Sequence, residues 1–233
     1  MSDAKPTIVL VHGAFADAAG WAPVTRILLD QGFPVIVPSV PNRTLSGDSA
    51  YIRSVVEQIE GPVVLAGHSY GGAVITVAGV AESVTALVYI AGYALTEGES
   101  LGELQGGFPD SDLAAHLVQN TTPVDGPEFT VETAAFGEVL AAGLDPKVAQ
   151  VLAAGQRPLA AAAFGEAASV AAWRTKPSRA IVAAADRTIN PDVERFGYQR
   201  AGIEHVVELD GPHLLMQTHP AEVAKVITDA AAL

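Results

Sequence analysis

The chain has 233 residues, of which 49% are hydrophobic and 17% are charged, a composition that excludes a disordered polyelectrolyte and predicts a compact globular protein. Its 13 basic and 26 acidic residues give a formal net charge of −13, which argues against nucleic-acid binding. The chain contains no cysteine, and this excludes disulfides, a thiolate nucleophile and every metal site with cysteine ligands.

We expect neither a signal peptide nor a membrane span. The apolar run at residues 8–11 is short and ends in His12-Gly13, so it predicts a first strand instead of a signal peptide. The Ala-rich stretches are interrupted by Gly, Pro, Glu or Arg, and none reaches the roughly 18 uncharged residues that a membrane span needs. We therefore expect a soluble, cytoplasmic protein that does not bind membranes.

Short apolar runs rich in Val, Ile and Leu recur along the chain, and each predicts a fully buried strand. These runs cover residues 8–11, 35–40, 62–66, 86–91, 179–185 and 205–209. Segments with helical spacing lie between them, at residues 21–31, 49–60, 70–81, 191–201 and 220–232. Pro191 and Pro220 suit first helical turns, and Gly32 and Gly202 suit helix ends. The alternation predicts an α/β fold with a mostly parallel sheet and helices on both faces.

The alternation stops at residues 95–177, where Ala-rich segments with helical spacing follow one another and no strand is evident. Apolar residues such as Leu113, Val139 and Phe164 favour packed helices over a disordered low-complexity segment. We predict a helical cap inserted after the strand at residues 86–91 and lying over the carboxyl edge of the sheet. The core then comprises residues 1–94 and 178–233.

The strand at residues 62–66 runs into Gly67-His68-Ser69-Tyr70-Gly71, and helical spacing follows. This is a G-x-S-x-G sequence between a strand and a helix, the context of a nucleophile elbow. Serine sits there in a strained turn, and Gly67 and Gly71 leave room where a Cβ would collide with neighbouring backbone. Ser69 is the predicted nucleophile, and an ordinary glycine-rich turn is the alternative interpretation.

A serine hydroxyl needs a base to remove its proton and a carboxylate to orient that base. His213 follows the last strand, in a loop from which it can reach Ser69 over the carboxyl edge of the sheet. Asp186 also follows a strand, and the order Ser69, Asp186, His213 is that of α/β-hydrolases. Asp210 is a rival acid, although it better suits a role in fixing the turn. Five histidines remain. We interpret His12 and His68 as structural, and His205 and His219 as surface or capping residues. His116 falls in the insertion.

Two backbone amides are predicted to form an oxyanion hole, which must hold the negative charge of a tetrahedral intermediate. One is the amide of Tyr70, directly after the serine. The other comes from the loop after the first strand, where Ala14 is the better candidate and Phe15 the alternative. For the substrate-lining residues we expect Phe15, Trp173 and Leu214, within an apolar pocket to which further cap aromatics contribute: Phe108, Phe129, Phe136 and Phe164.

Taken together, residues 9–14, 67–72, 186–189 and 211–216 resemble the α/β-hydrolase superfamily, and the resemblance extends over nearly the whole chain. The chain is similar to small capped serine esterases of the group that includes plant methyl-ester esterases and hydroxynitrile lyases. The resemblance implies Ser69 as nucleophile, His213 as base, Asp186 as acid, and the Ala14 and Tyr70 amides as oxyanion donors. It also implies no cofactor and often a homodimer, while the residues themselves show no metal ligand set, so we expect no metal.

Two departures from relatives narrow the expected chemistry. Dehalogenases and epoxide hydrolases of this fold carry Asp at the elbow, where this chain has Ser69. Hydroxynitrile lyases carry Lys after the catalytic histidine and Thr after the first-strand histidine, where this chain has Leu214 and Gly13. The expectation is hydrolysis of a small or hydrophobic neutral ester through an acyl-enzyme. The alternatives are a ligand-sensing receptor, and a cofactor-free haloperoxidase, perhydrolase or lyase with the same triad.

Overall fold

The computed structural model describes residues 5–123 and 126–233. Strands within these residues are β1 (Thr7–Val11), β2 (Val35–Ile36), β3 (Val63–His68), β4 (Val84–Ile90), β5 (Leu117–Thr122), β6 (Gly126–Val131), β7 (Leu159–Ala160), β8 (Ser178–Ala183) and β9 (His205–Leu209). The α-helices are α1 (Ala22–Asp30), α2 (Leu45–Val56), α3 (Tyr70–Ala78), α4 (Leu101–Gln105), α5 (Thr133–Val139), α6 (Pro146–Ala154), α7 (Ala161–Gly165), α8 (Pro191–Arg200), α9 (Leu215–Thr218) and α10 (Pro220–Ala230). Short 3-10 helices cover Ala18–Trp21, Asp112–His116 and Ala172–Arg174. In the part of the chain that is described, no helix has both the length and the apolar character needed to cross a bilayer.

Six strands form a parallel sheet in the order β2-β1-β3-β4-β8-β9, which confirms the predicted α/β architecture. The central strands β1, β3 and β4 are buried almost throughout, as their continuous apolar runs predict. The chain passes from β1 to β2 on one side, and then returns across β1 to add β3 and β4 on the other side. Right-handed crossovers that run in opposite directions along a sheet place their helices on opposite faces. Accordingly α1 packs with α10, while α2 packs with α3. The reversal leaves a crevice at the carboxyl ends of β1 and β3, the usual place for a ligand in such sheets.

The predicted helices outside the insertion are all present, although α2 (Leu45–Val56) begins and ends four residues earlier than the helix predicted at residues 49–60. Gly32 and Gly202 have φ angles of 78° and 67°, and they follow α1 and α8 in the left-handed conformation that glycine favours. Pro191 and Pro220 each occupy a first helical turn.

The prediction of full burial is wrong for the two edge strands. β2 is reduced to Val35–Ile36 and is only partly covered. β9 is exposed along most of its length, and Val206 and Val207 keep about 40% of their surface. An apolar run predicts an extended strand wherever it occurs. Burial also requires a neighbouring strand on each side, and an edge strand has a neighbour on one side only.

The segment between β4 and β8 contains helices α4 to α7, as expected, but the prediction that it has no strand is wrong. β5, β6 and β7 form a three-stranded antiparallel sheet. β5 reads Leu-Val-Gln-Asn-Thr-Thr and is largely exposed, so it lacks the apolar run that identifies buried strands. Residues 1–4 of the predicted core and residues 124–125 of the predicted insertion lie outside the described residues.

The segment at residues 95–177 is bonded to residues 40–43, in the loop between β2 and α2. The Ala160 amide donates to the Asn42 carbonyl at 3.0 Å, and the Arg157 guanidinium donates to the Val40 carbonyl at 3.0 Å. Arg43 forms a half-buried ion pair with Glu128 at 2.7 Å. These contacts tie residues 128–160 to the loop between β2 and α2.

Candidate active site

Ser69 lies in a sharp turn between β3 and α3, as the elbow sequence predicts. Its φ and ψ angles are 55° and −125°, a conformation that is strained for any residue with a side chain. A Cβ on Gly67 would lie 2.4 Å from the Gly71 carbonyl oxygen, and one on Gly71 would lie 2.4 Å from the Val11 carbonyl oxygen. Only glycine at both positions lets β1, β3 and α3 approach closely enough to hold this turn.

Backbone from neighbouring strands also converges on Ser69. A Cβ on Gly13 would lie 2.6 Å from the Ser69 Cβ, so the loop after β1 passes directly beside the serine. The Ser69 amide donates to the Ile90 carbonyl at 3.2 Å, and the Tyr93 amide donates to the Ser69 carbonyl at 3.3 Å. The serine is therefore held by the carboxyl ends of three adjacent strands.

His213 and Asp186 form a buried pair near the same sheet edge. The imidazole Nδ1 and the carboxylate Oδ2 are 2.6 Å apart, and both side chains are at most 1% exposed. Asp186 Oδ1 accepts from the Thr188 amide at 2.6 Å and from the Ile189 amide at 3.0 Å, which fixes the carboxylate. Asp210 is exposed, so of the two predicted acids it is Asp186 that meets the imidazole.

The second ring nitrogen of His213 is available for chemistry. Because Nδ1 donates to Asp186, Nε2 is the unprotonated nitrogen of the neutral ring and can accept a proton. This Nε2 is buried and has no hydrogen-bond partner among residues 5–123 and 126–233. His68, the residue before Ser69, contacts the ring with centroids 4.4 Å apart and donates from Nε2 to the His213 carbonyl at 2.9 Å.

The histidines of the two glycine motifs have structural roles, as predicted. Burial, followed by the proximity of His213, holds the pKa of His68 well below its ordinary value. His12 donates from Nδ1 to the Gly13 carbonyl and accepts at Nε2 from the Val40 amide, both at 2.9 Å, and its burial lowers the pKa. Both rings therefore stay neutral and act as fixed hydrogen-bonding groups.

The two loops named as oxyanion candidates flank the serine. The Phe15 amide donates to the Arg157 carbonyl at 2.9 Å and is already used, whereas no acceptor for the Ala14 amide is found in the described part of the chain. The Tyr70 amide belongs to the first turn of α3, where no intrahelical acceptor exists. Ala14 and Tyr70 are thus the better placed pair of free donors.

A cavity of about 270 Å³ opens above Ser69, between the sheet edge and the inserted segment. Its lining is mainly apolar and comprises Ala14, Phe15, Ser69, Tyr70, Tyr93, Leu101, Gln105, Asp110, Leu113, Ala114, Leu117, Phe129, Leu159, Phe164, Thr188 and Ile189. One polar pair lies in it, since the Tyr93 hydroxyl donates to Gln105 Oε1 at 2.7 Å. Over residues 5–123 and 126–233, no three His, Asp or Glu side chains converge in a way that could hold a metal ion.

Phe15 lines this cavity as predicted, but Trp173 and Leu214 do not. The Trp173 indole turns toward the core, where Nε1 donates to the Leu95 carbonyl at 2.7 Å. Leu214 is 2% exposed and packs in the hydrophobic core. Their positions in the chain suggested a lining role, yet side-chain direction is set by tertiary packing.

The cap aromatics are also divided between cavity and core. Phe129 and Phe164 line the cavity, whereas Phe136 is buried in the core and Phe108 packs against Phe196 with ring centroids 5.6 Å apart. Sequence reasoning missed Tyr93 and Gln105, because no local pattern distinguishes them before the loop after β4 folds against α4.

Comparisons with known proteins show the family and the fold of the chain. Residues 8–226 match the model of the Alpha/beta hydrolase family. A probable hydrolase R7 from Phoma sp. is 26% identical over 251 residues, covering 98% of this chain and 99% of that protein.

Three solved structures are similar over nearly their whole length. Polyneuridine aldehyde esterase matches with a TM-score of 0.83 and 17% identity, over 97% of this chain and 98% of its own. A pyrethroid hydrolase from Sphingobium faniae JZ-2 matches at 0.78 with 20% identity, over 97% of both chains. An Arabidopsis methylesterase matches at 0.80 with 16% identity, over 97% of this chain and 99% of its own. At these identities the likeness shows a common fold.

Proposed function

The chain belongs to the alpha/beta hydrolase family, and from that premise we propose that it is a serine carboxylesterase with Ser69, His213 and Asp186 as its triad. The observation that carries the proposal is the state of His213. Its Nδ1 is tied to a buried carboxylate at 2.6 Å, while its Nε2 is unpaired in a buried position next to the serine turn. This is the arrangement that a general base requires.

In the proposed reaction His213 Nε2 takes the Ser69 proton while Oγ attacks the ester carbonyl carbon. The carbonyl oxygen becomes negatively charged, and the free amides of Ala14 and Tyr70 donate to it. His213 then gives the proton to the leaving alcohol, and the acyl group stays on Ser69. A water molecule, deprotonated by the same nitrogen, releases the acid and restores the serine.

The cavity supports a neutral, apolar substrate. Its walls are mainly hydrophobic and it adjoins Ser69, so the part of the ester that binds there loses water without losing hydrogen bonds. Asp110 lies at the cavity and the chain carries a net charge of −13, which disfavours anionic esters. Similar structures include an esterase, a methylesterase and a pyrethroid hydrolase, which supports ester hydrolysis.

We also propose that residues 95–177 act as a cap that selects the substrate, while residues 1–94 and 178–233 supply the chemistry. Every residue in the proposed reaction lies in residues 1–94 or 178–233. Most of the hydrophobic wall facing Ser69 comes from residues 95–177, through side chains such as Leu117, Phe129 and Phe164. A homodimer and a cytoplasmic location remain predictions from the sequence.

A series of p-nitrophenyl esters from acetate to dodecanoate tests the function directly. We expect the wild-type protein to hydrolyse members of this series and to favour a limited range of acyl lengths, because the cavity has a volume of only about 270 Å³. The Ser69→Ala protein is the blank for background hydrolysis. If a folded wild-type protein shows no rate above this blank yet binds hydrophobic ligands, a receptor function replaces the esterase.

Shortening Phe129 is expected to change acyl preference without removing activity. Phe129→Ala enlarges the cavity, so the ratio of kcat/KM for long over short acyl chains rises roughly tenfold, the scale of one or two methylene contacts. Phe196→Ala is the matched control, since Phe196 is 45% exposed and does not line the cavity. Thermal unfolding is measured for both variants. Identical acyl profiles for the two would contradict a selective role for the cap wall.

A further inference from the structure

Glu194 is a buried acid that the proposed reaction does not use. It lies in the first turns of α8 and is 1% exposed. Its Oε2 accepts from the Ala183 amide at 3.1 Å, at the end of β8. Its Oε1 is buried and receives no hydrogen bond from any donor in the described part of the chain. A buried carboxylate with an unpaired oxygen is costly, so this oxygen needs a physical explanation.

The explanation lies in the neighbouring carboxyl. Glu194 and Asp186 meet at Ala183, whose amide donates to Glu194 Oε2 at 3.1 Å and whose carbonyl accepts from the Asp186 amide at 3.1 Å, so the two buried carboxyl groups are neighbours and interact electrostatically. Two ionised carboxylates cannot hydrogen-bond, because each has only acceptor oxygens, and two like charges in a buried site repel. A hydrogen bond between them therefore requires one proton, held by one of the two groups.

The surroundings assign that proton to Glu194. Asp186 receives three donors, from the Thr188 and Ile189 amides and from His213 Nδ1, and all of them stabilise its charged form. Glu194 receives a single backbone donor. Burial, followed by the charge of Asp186, holds the pKa of Glu194 well above its ordinary value of 4.5.

Among residues 5–123 and 126–233, no nearby cation reverses this assignment. The neighbouring Arg195 directs its guanidinium away, to Asp192 at 2.8 Å and to Glu208. The other titratable groups facing the pair are the phenols of Tyr93 and Tyr198, and burial raises the pKa of both. These phenols therefore stay neutral in the neutral pH range.

We propose that Glu194 is a positioning residue that keeps its proton at neutral pH and donates a hydrogen bond from Oε1 to the Asp186 carboxylate. A carboxylate has about four lone-pair sites, and this donor occupies the one that Thr188, Ile189 and His213 leave open. The bond fixes the carboxylate against the imidazole and spreads its negative charge. The catalytic consequence rests on the proposed function, because it concerns the acid of that triad.

Two variants separate a protonated Glu194 from an ionised one. Glu194→Gln keeps a neutral donor, so kcat, KM and the acidic limb of the pH–rate profile are expected to stay as in the wild type. Glu194→Leu keeps the volume and removes the donor. Its kcat is expected to fall about tenfold, the equivalent of one hydrogen bond to a charged acceptor, with little change in KM. Its acidic limb moves to higher pH, because the more concentrated charge on Asp186 favours the protonated imidazole.

If Glu194 is ionised instead, Glu194→Gln removes a negative charge and moves that limb to lower pH, which overturns the proposal.

A second measurement does not depend on activity. A carboxyl whose pKa is raised in the folded state binds more protons folded than unfolded, so its contribution to stability is lost as pH rises above 4.5 toward the folded pKa. Over that window the Tm of the wild type should fall relative to Glu194→Gln by about 3 to 5 °C per pH unit.

Difference infrared spectra at pH 7 should show a protonated carboxylic acid in the wild type that Glu194→Gln lacks. Parallel Tm curves and no such band would overturn the proposal, even in a protein with full esterase activity. If the protein proves inactive on esters, the same two readouts still decide the protonation of Glu194.

Discussion

Replacing Ser69 with alanine is expected to lower kcat/KM for p-nitrophenyl esters by roughly 10³-fold or more while leaving a folded protein. The substitution removes only the Oγ atom that attacks the carbonyl. The Ser69 amide and carbonyl keep their hydrogen bonds to Ile90 and Tyr93, and the glycines around the turn still leave room for it. The loss is large because the triad acts as one unit, so a base without its nucleophile contributes little.

The control for this variant is Ser49→Ala, which removes another buried serine hydroxyl. Ser49 lies in α2, and its Oγ donates to the Val74 carbonyl at 3.3 Å, away from the cavity. That variant should lose some stability and keep its activity. An organophosphate should add its mass to the peptide containing Ser69 in the wild type and leave the Ser69→Ala protein unlabelled. A variant that keeps most of the wild-type rate would show that Ser69 is not the nucleophile.

Asp186→Asn is expected to lower kcat by roughly 10³- to 10⁴-fold, because the carboxylate sets the tautomer of His213 and stabilises its cation. An amide group facing Nδ1 favours the tautomer in which Nε2 carries the hydrogen, and that nitrogen can then no longer accept the Ser69 proton. The fold should persist, since the oxygen of the new side chain can still accept from the Thr188 and Ile189 amides.

Asp210→Asn is the matched comparison, because it makes the same chemical change three residues before His213 at an exposed position. We expect its rate to stay close to that of the wild type. The kcat values of both variants are measured at the pH optimum together with their unfolding temperatures. A larger loss in Asp210→Asn than in Asp186→Asn would move the acid to Asp210 and refute the triad proposed here.

The α/β architecture could be predicted from sequence because its signals are local. Continuous Val and Ile runs identify β1, β3 and β4, and spacing identifies the helices between them. The inserted segment was harder, since β5 is exposed and lacks an apolar run. A strand stabilised by pairing with β6 and β7 leaves little trace in its own composition.

The candidate site divides in the same way. The elbow at Ser69 requires Gly67 and Gly71, because a side chain at either position would collide with neighbouring backbone. The loops that carry Asp186 and His213 follow parallel strands, and the carboxyl ends of parallel strands meet at one edge of the sheet. The sequence alone therefore determined Ser69, Asp186 and His213 as candidates and their chain order. Only the tertiary structure decided that Asp186 meets His213.

Three further features depended on the fold. The Phe15 amide donates to the Arg157 carbonyl, Trp173 turns away from the cavity, and Glu194 is buried at the end of β8, where it accepts from the Ala183 amide. The physical reason is common to all three. Hydrogen bonds and side-chain directions depend on which atoms of distant segments come within about 3 Å of each other, and that is settled only when the sheet, residues 95–177 and α8 pack together.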